Sequence, residues 1–245
     1  MQNVHAAGAV IPALGFGTYG MDSRAMQRLL PAALRASFRH IDTAQIYGNE
    51  ADVGECVAAS GIARADVFIT TKVWVANYHP RKFEDSVDAS LARLRTDYID
   101  LLLLHWPNSD VPLAEQVGGL NAVVKAGKVR HTGISNFNRM LMAEAIRLSD
   151  NPLVTNQFEY HPYLNQSALI ESTRHAGLSV TAYCGMAVGR VFSDDVLKEI
   201  AMRATGKQSL RWFCVGSFNR MASWHYRGPQ RRNGWSRMQP SSTSG

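Results

Sequence analysis

The feature that most constrains the fold of this chain is the alternation of short apolar runs with amphipathic stretches of helical periodicity. The apolar runs have the length of β-strands and cover residues 15–19, 39–42, 67–72, 98–105, 129–135, 155–158 and 179–183. Helical patterns, in which apolar side chains recur three or four positions apart, cover residues 22–37, 81–94, 114–125, 138–148, 166–175 and 193–204. Repeated strand–helix units predict a parallel sheet covered by helices.

Seven such units are one short of a (β/α)₈ TIM barrel, and a doubly wound open sheet is the competing fold. An open sheet that binds a dinucleotide carries a Gly-rich phosphate turn after its first strand. The string Gly15-Phe-Gly-Thr-Tyr19 lacks the third glycine that opens a helix. Polar residues also end several different strands, which suits a barrel mouth better than one crevice. We therefore predict an α/β fold, a (β/α)₈ TIM barrel domain over residues 1–213.

The positive charge of the chain is confined to its last part. The formal net charge is +6, yet all 20 acidic residues lie at or before Glu199, which leaves 18 basic residues among the first 199. The basic residues that follow are Arg203, Lys207, Arg211, Arg220, Arg227, Arg231, Arg232 and Arg237. The predicted barrel is nearly neutral, and we expect no nucleic-acid partner for it.

Other sequence features predict the cellular compartment of the chain and the redox state of its cysteines. No apolar run approaches the roughly 18 residues of a membrane span, and the N-terminal residues lack the basic and apolar regions of a secretory signal. Cys56, Cys184 and Cys214 are odd in number and widely spaced, which suits reduced thiols and no metal site. We expect a cytoplasmic monomer without membrane contact.

Four polar residues stand at or just beyond the ends of successive predicted strands: Asp42, Tyr47, Lys72 and His105. In a barrel these strand ends meet at one mouth. Reduction of a carbonyl by hydride needs a proton donor to the oxygen, on which negative charge develops. An ammonium favours the phenolate form of a tyrosine, a carboxylate holds the ammonium, and a neutral imidazole orients a carbonyl. We predict Tyr47 as the general acid, Lys72 as the group that lowers its pKa, Asp42 as the anchor of Lys72, and His105 as the substrate-orienting group.

The strings around these residues resemble the aldo-keto reductase family over about residues 10–212. They are Gly15-Phe-Gly-Thr-Tyr19, Asp42-Thr-Ala-Gln-Ile-Tyr47-Gly-Asn-Glu50, Ile69-Thr-Thr-Lys-Val-Trp74, Leu103-Leu-His-Trp-Pro107, Gly133-Ile-Ser-Asn-Phe137, and Asn156-Gln157 with His161-Pro162. Within the family the resemblance is strongest to bacterial 2,5-diketo-D-gluconate reductases. It implies an NADPH-dependent barrel that reduces an aldehyde or ketone, with a keto-sugar acid such as 2,5-diketo-D-gluconate as one candidate substrate.

The resemblance also implies which residues hold the cofactor and the substrate. Ser135, Asn136 and Gln157 would bond the nicotinamide carboxamide, and Tyr183 would stack on its ring. In full, the implied cofactor-binding residues are Thr18, Ser135, Asn136, Gln157 and Tyr183, and the implied substrate-binding residues are Tyr19, Trp74 and Trp106.

After about Phe213 the family pattern stops. Residues 222–245 have no apolar alternation, no acidic residue and much Gly, Pro and Ser, so we expect the tail 214–245 to be disordered. The resemblance implies that the eighth strand and the loop that grips the 2′-phosphate of NADP are missing or replaced here. Our hypothesis is that the tail arises from a shift of reading frame.

Two other functions remain open. The chain could be a degenerate barrel that binds cofactor weakly or not at all and has no turnover. Alternatively, the tail could bind single-stranded nucleic acid through Arg227, Arg231 and Arg232 with Trp224, Tyr226 and Trp235. Salt-dependent oligonucleotide binding that is lost on deletion of residues 222–245 would support the second alternative.

The reading-frame hypothesis predicts the content of the gene. Back-translated with suitable codons and read two nucleotides later, residues 222–245 encode Val-Val-Ala-Leu-Pro-Arg-Thr-Ser-Thr-Pro-Glu-Arg-Leu-Glu-Gln-Asn-Ala-Ala-Ile-Phe-Asp-Phe-Gly. This string has the order of the family's strand, phosphate loop and helix. We expect nucleotide sequencing to find it in the shifted frame. A gene in which no frame yields Pro-Arg-Thr followed by Arg and Asn would contradict the hypothesis.

Overall fold

The computed structural model describes residues 2–205 of the chain. The described residues divide between two units, the first ending at Val191 and the second beginning at Phe192. An antiparallel hairpin of β1 (Asn3–Ala6) and β2 (Ala9–Pro12) opens the first unit. The parallel strands that follow are β3 (Gly15–Gly17), β4 (His40–Asp42), β5 (Phe68–Val73), β6 (Ile99–Leu104), β7 (Val129–Ser135), β8 (Leu153–Glu159) and β9 (Ser179–Tyr183).

Helices alternate with these strands along the first unit. They are α1 (Ser23–Arg35), α2 (Glu50–Ala59), α3 (Pro80–Leu94), α4 (Leu113–Lys125), α5 (Arg139–Leu148) and α6 (Ser167–His175), with short 3₁₀ helices at Gln45–Tyr47, Arg64–Asp66, Val75–Asn77 and Ala187–Phe192. The described part of the second unit contains α7 (Asp195–Thr205). Within residues 2–205 no helix has the length and apolarity that a membrane span requires.

All seven predicted strands are present, and their ends differ from the prediction by at most two residues. The sequence pattern does not predict two elements, the β1–β2 hairpin and α2. The apolar residues of α2 are not confined to one face, and the buried Glu50 lies within it. The predicted boundary at residue 213, the tail 214–245 and the fate of an eighth strand lie outside the described residues.

The parallel sheet curls into a barrel. Its strands lie in chain order from β3 to β9. In a flat sheet β4 and β8 would be about 19 Å apart, since neighbouring strands are separated by roughly 4.8 Å. Yet Gln157 Nε2 on β8 lies 2.7 Å from Asp42 Oδ2 on β4. Only a sheet that bends back on itself permits this bond, and the predicted TIM-barrel fold is confirmed, with β3 and β9 as the edges of its described strands.

Apolar side chains pack on both faces of the curled sheet. On β6, Leu102 and Leu104 belong to the large core between sheet and helices, whereas Leu101 and Leu103 belong to a smaller core inside the barrel. The hairpin contributes Ala6, Ala9 and Ile11 to this inner core. The hairpin also contacts the start of β4, where Pro12 O lies 3.1 Å from His40 Nδ1. It therefore packs against the inner core from the end opposite the carboxyl ends of the strands.

A buried carboxylate fastens α2 to α3 and to β5. Glu50 is 1% exposed, and its Oε2 accepts hydrogen bonds from Arg93 Nε at 2.8 Å and Ser90 Oγ at 3.2 Å. Its Oε1 accepts from Thr71 Oγ1 on β5 at 2.5 Å. The helices approach closely at Gly54, where a Cβ would lie 2.5 Å from the carbonyl oxygen of Arg93. The helix that follows the Tyr47 loop is thus fixed in place.

We expect Glu50→Gln to lower the free energy of unfolding by about 3 kcal/mol, because it removes the buried member of an ion pair. The matched variant Glu84→Gln removes a carboxylate that is 51% exposed beside Lys128, and it should cost less than about 1 kcal/mol. Urea unfolding followed by circular dichroism measures both losses. Equal losses in the two variants would contradict the structural role given to Glu50.

Candidate active site

The structure places the predicted site residues at one end of the barrel. Asp42 ends β4, Lys72 is the penultimate residue of β5, and His105 directly follows β6. Tyr47 ends the 3₁₀ helix in the loop after β4. Most of the remaining predicted residues lie at or just beyond the carboxyl ends of strands: Thr18, Tyr19, Trp74, Trp106, Ser135, Asn136 and Tyr183. Gln157 lies inside β8, two residues before its end.

The ammonium of Lys72 lies at the centre of the four predicted catalytic residues. Lys72 is 1% exposed, and its Nζ forms an ion pair with Asp42 Oδ1 at 2.5 Å. Nζ also donates to Thr43 O at 2.9 Å and lies 3.5 Å from Tyr47 OH. A buried charge has to be paired and hydrogen-bonded to be tolerated, and Asp42 and Thr43 satisfy this need. The geometry therefore brings the ammonium beside the phenol, as the predicted roles require.

The pKa of Tyr47 departs from the sequence-based expectation. Burial raises the pKa of the phenol, and this effect outweighs the lowering by the neighbouring Lys72 ammonium. The effect of Lys72 has the predicted direction, and the larger opposing effect of burial was not predicted, because the sequence carries no measure of how deeply the phenol is buried. At neutral pH Tyr47 keeps its proton, and Lys72 is positioned to stabilise the phenolate once that proton leaves.

His105 is a neutral imidazole in this site. Burial, assisted by the charge of Lys72, lowers the pKa of His105 to about 4. Its Nδ1 is enclosed and has no hydrogen-bond partner among the described residues. The ring packs edge-on against Tyr47 and Trp74, with centroids 5.6 Å and 5.4 Å away. Nε2 is thus the ring nitrogen available to a ligand in the mouth.

Aromatic side chains surround Tyr47 and His105 at the mouth. Tyr19 is 80% exposed and packs edge-on against Tyr47, with centroids 5.1 Å apart. Trp74 is half-buried beside His105. Trp106 is exposed, and its backbone is held by the hydroxyl of the buried Tyr78. Each of the three predicted substrate-binding residues therefore lies in the mouth or directly next to the catalytic set, that is, the four predicted catalytic residues Asp42, Tyr47, Lys72 and His105.

Two amide side chains that were absent from the predicted site fix the loops of the mouth. Gln45 Oε1 accepts from the backbone nitrogen of Trp74 at 2.9 Å. Asn49 Nδ2 donates to Thr18 O, and Asn49 Oδ1 accepts from Thr43 Oγ1, each at 2.9 Å. Their partners lie up to 31 residues away along the chain, so no local pattern reveals these bonds. The only signal is the polar string after β4 in which both amides occur.

A second cluster of polar groups lies at the ends of β7, β8 and β9. Asn136 Oδ1 accepts from Tyr183 OH at 2.8 Å, and Asn136 Nδ2 donates to Ser135 Oγ at 3.0 Å. Ser135 Oγ in turn donates to Gln157 O at 2.9 Å. Burial raises the pKa of Tyr183 to about 12, so its hydroxyl remains a donor at neutral pH. The cluster joins the catalytic set through the bond from Gln157 to Asp42.

The second cluster fits a nicotinamide in its chemistry. A carboxamide needs both donors and acceptors, and Ser135, Asn136 and Gln157 carry both kinds of group. The half-buried ring of Tyr183 offers an aromatic surface beside them. Thr18 differs, because it is fully buried and its hydroxyl donates to Asp42 O at 3.1 Å. The role of Thr18 in cofactor binding stays a prediction.

A curled parallel barrel with a phenol, an ammonium, a carboxylate and a neutral imidazole at the carboxyl ends of its strands defines a carbonyl-reducing oxidoreductase. The model of the aldo/keto reductase family matches residues 13–235, and the chain belongs to that family. The resemblance in its motifs is confirmed, and the match continues beyond Phe213 into the tail.

Individual relatives support the same family. Methylglyoxal reductase DkgB of Escherichia coli O157:H7 is 39% identical over 211 residues, which span 84% of this chain and 79% of the relative. A candidate 2,5-diketo-D-gluconic acid reductase B of known crystal structure is 60% identical, with a TM-score of 0.82 over 83% of this chain and 73% of its own. An aldo-keto reductase of Bombyx mori, solved in complex with NADP, is 29% identical, with a TM-score of 0.70 over 74% and 66% of the two chains.

The site geometry predicts the protonation of His105. We expect its ring to titrate with a pKa of about 4, because burial and Lys72 both disfavour the imidazolium. Carbon-detected NMR of the histidine rings measures this value, and the His105 signal is identified by its loss in His105→Gln. A ring that titrates near the ordinary value of about 6.5 would contradict the described environment.

Proposed function

We propose that this protein is an NADPH-dependent carbonyl reductase that transfers hydride to an aldehyde or ketone, with Tyr47 as the general acid. The observation that carries the proposal is the buried Asp42–Lys72 ion pair, whose ammonium lies 3.5 Å from Tyr47 OH. Membership of the aldo/keto reductase family supports the reaction class. The NADP held by the Bombyx mori relative supports the choice of cofactor.

Tyr47 supplies the proton in the proposed reaction. As negative charge develops on the carbonyl oxygen, the phenol donates its proton and becomes a phenolate. Lys72 stabilises the phenolate electrostatically, and Asp42 keeps the ammonium in position. The raised pKa of Tyr47 keeps the phenol protonated before the reaction, while the nearby ammonium lowers the free energy of the charged form that follows.

His105 orients the carbonyl in the proposed reaction. A neutral imidazole whose Nε2 carries the hydrogen can donate a hydrogen bond to the substrate oxygen. Nδ1 is enclosed and has no hydrogen-bond partner among the described residues. Nε2 is therefore the ring nitrogen that we assign to the substrate oxygen. The ring of His105 lies beside that of Tyr47, with centroids 5.6 Å apart, and this supports the proposal that both donors bond the same substrate oxygen.

The second cluster holds the cofactor in this proposal. Ser135, Asn136 and Gln157 bond the carboxamide, Tyr183 contacts the nicotinamide ring, and Thr18 supports the site from the base of the loop after β3. When bound, the reduced nicotinamide supplies the hydride. The residues of this cluster fix where that ring lies relative to Tyr47 and His105.

The substrate is proposed to be a small carbonyl compound. Tyr19, Trp74 and Trp106 present uncharged aromatic surface at the mouth, which favours a compact and weakly charged ligand. Methylglyoxal and 2,5-diketo-D-gluconate, the compounds in the names of the relatives, are the first two to test. We propose that residues 1–213 form the reductase domain and that the tail 214–245 adds no catalytic residue.

We expect Tyr47→Phe to lower kcat for carbonyl reduction by about 10²- to 10⁴-fold, because the general acid is lost. Its Kd for NADPH, measured by fluorescence titration, should stay close to that of the wild type. Tyr98→Phe is the matched control, since it removes a phenol hydroxyl at the start of β6, beside Arg64 and Arg130 and away from the mouth. Its kcat should be unchanged.

Two results would contradict this assignment. A Tyr47→Phe protein with wild-type kcat would exclude Tyr47 as the acid. A wild-type chain that binds NADPH but reduces no carbonyl compound would favour the degenerate, non-catalytic barrel instead.

A further inference from the structure

The two carboxylate oxygens of Asp42 have different partners. Oδ1 is paired with Lys72 Nζ at 2.5 Å, and Oδ2 accepts from Gln157 Nε2 at 2.7 Å. Gln157 lies on β8 and Asp42 on β4, so the second bond crosses the interior of the barrel. It links the catalytic set to the polar cluster of β7 to β9.

Gln157 is itself held firmly. Its side chain is buried, with 3% of the residue exposed, and it pairs in register with Ser135 on β7 and Thr181 on β9. Its carbonyl oxygen accepts from Asn136 N at 2.8 Å and from Ser135 Oγ at 2.9 Å. A glutamine in the middle of a paired strand, with neighbours on both sides, provides a rigid point from which to fix another side chain.

Asp42 lacks that rigidity. It is the last residue of a three-residue strand, and its side chain is partly accessible. A carboxylate bonded through one oxygen can still turn about its terminal torsion, which is broad and roughly two-fold. Donors on both oxygens fix the plane of the group. A carboxylate fixed in this way also fixes the position of Lys72 Nζ, which lies 3.5 Å from Tyr47 OH.

We propose that Gln157 is a positioning residue of the proton-delivery site, which orients Asp42 and thereby holds the Lys72 ammonium next to Tyr47. This inference rests on the proposed function, because it assigns Gln157 a second task in the same site. The charged and titratable groups around Asp42 are Lys72, Tyr47, His40 and His105. None of them replaces the bond that Gln157 supplies to Oδ2.

Two substitutions of Gln157 separate positioning from cofactor binding. Gln157→Met keeps the length of the side chain and removes the donor. Gln157→Glu restores a donor only while the new carboxyl is protonated, and two carboxyl groups this close share one proton until the pH rises above the raised second pKa of the pair. At saturating NADPH, we expect Gln157→Met to lower kcat by about 10- to 100-fold across the pH range. Gln157→Glu should lose kcat progressively as the pH rises and the shared proton leaves.

The matched control is Gln116→Met. Gln116 is a glutamine with 1% exposure on α4, and its Nε2 donates to Asn108 O and Val111 O. Its loss should lower the Tm, as the loss of any buried hydrogen-bonding amide does. Both kcat and its pH profile should remain those of the wild type. The comparison separates an effect on the site from a general loss of stability.

A second measurement does not depend on turnover. In the cofactor-free protein, the Tyr47 phenol is titrated by ¹³C NMR of labelled tyrosine, with its signal assigned by its loss in Tyr47→Phe. Circular dichroism over the same pH range confirms that the protein stays folded. We expect Gln157→Met to raise the pKa of Tyr47 above the wild-type value, because the Lys72 ammonium is held less firmly beside it. Gln116→Met should not change it.

The outcomes distinguish failure of this inference from failure of the proposed function. If both Gln157 variants weaken NADPH binding but keep the wild-type kcat, pH profile and Tyr47 pKa, Gln157 serves the cofactor alone and the inference is wrong. If the wild type reduces no carbonyl compound, the proposed function fails, and the Tyr47 titration alone decides the inference: a higher value in Gln157→Met supports it, and an unchanged value overturns it.

Discussion

The ammonium of Lys72 inside the barrel is the charge that the rest of the site is arranged to accommodate. Only 1% of this residue is exposed, and an unpaired charge at that depth would cost several kcal/mol. Asp42 and the carbonyl oxygen of Thr43 remove this cost by direct contacts. The same contacts hold the ammonium beside Tyr47. One electrostatic requirement therefore determines both the local stability of the mouth and the placement of the ammonium beside the Tyr47 phenol.

Curvature of the sheet makes this arrangement possible. Strands four places apart meet across the interior, so that Gln157 on β8 reaches Asp42 on β4. The strands from β4 to β6 and the segments that follow them carry the residues proposed to deliver the proton, and those from β7 to β9 carry the cluster proposed to hold nicotinamide. The hydrogen bond from Gln157 on β8 to Asp42 on β4 connects these two groups of residues. The hairpin and the helices α1 to α6 stabilise the barrel, while the predicted catalytic side chains lie on its strands and in the segments that directly follow them.

Much of the fold and of the catalytic set could be predicted from the sequence. Strand ends in a parallel barrel converge on one mouth, so Asp42, Lys72 and His105 could be placed together from their positions after apolar runs. The features that escaped prediction depend on distances that no local pattern encodes. Gln45 and Asn49 act on partners about 30 residues away, and Gln157 acts on one 115 residues away.

The pKa of Tyr47 shows a different limit of the sequence. The direction of the effect of Lys72 follows from charge alone and is as expected. The burial of the phenol acts in the opposite direction and is larger, and burial becomes visible only when the chain is folded. The cofactor-binding roles of Asn136 and Tyr183 were implied by the family resemblance and not by the sequence pattern. The structure adds that the two side chains are hydrogen-bonded to each other.

The kcat of Lys72→Met for reduction of methylglyoxal at saturating NADPH, compared with the wild type, is the decisive measurement. Lys128→Met, which removes an ammonium that pairs with Glu84 and Asp88 on the outside of the barrel, is the control. If the buried ammonium stabilises the phenolate, Lys72→Met loses at least about 100-fold in kcat while the control keeps the wild-type value. A folded Lys72→Met protein with the kcat of the wild type would contradict the role assigned to this ion pair.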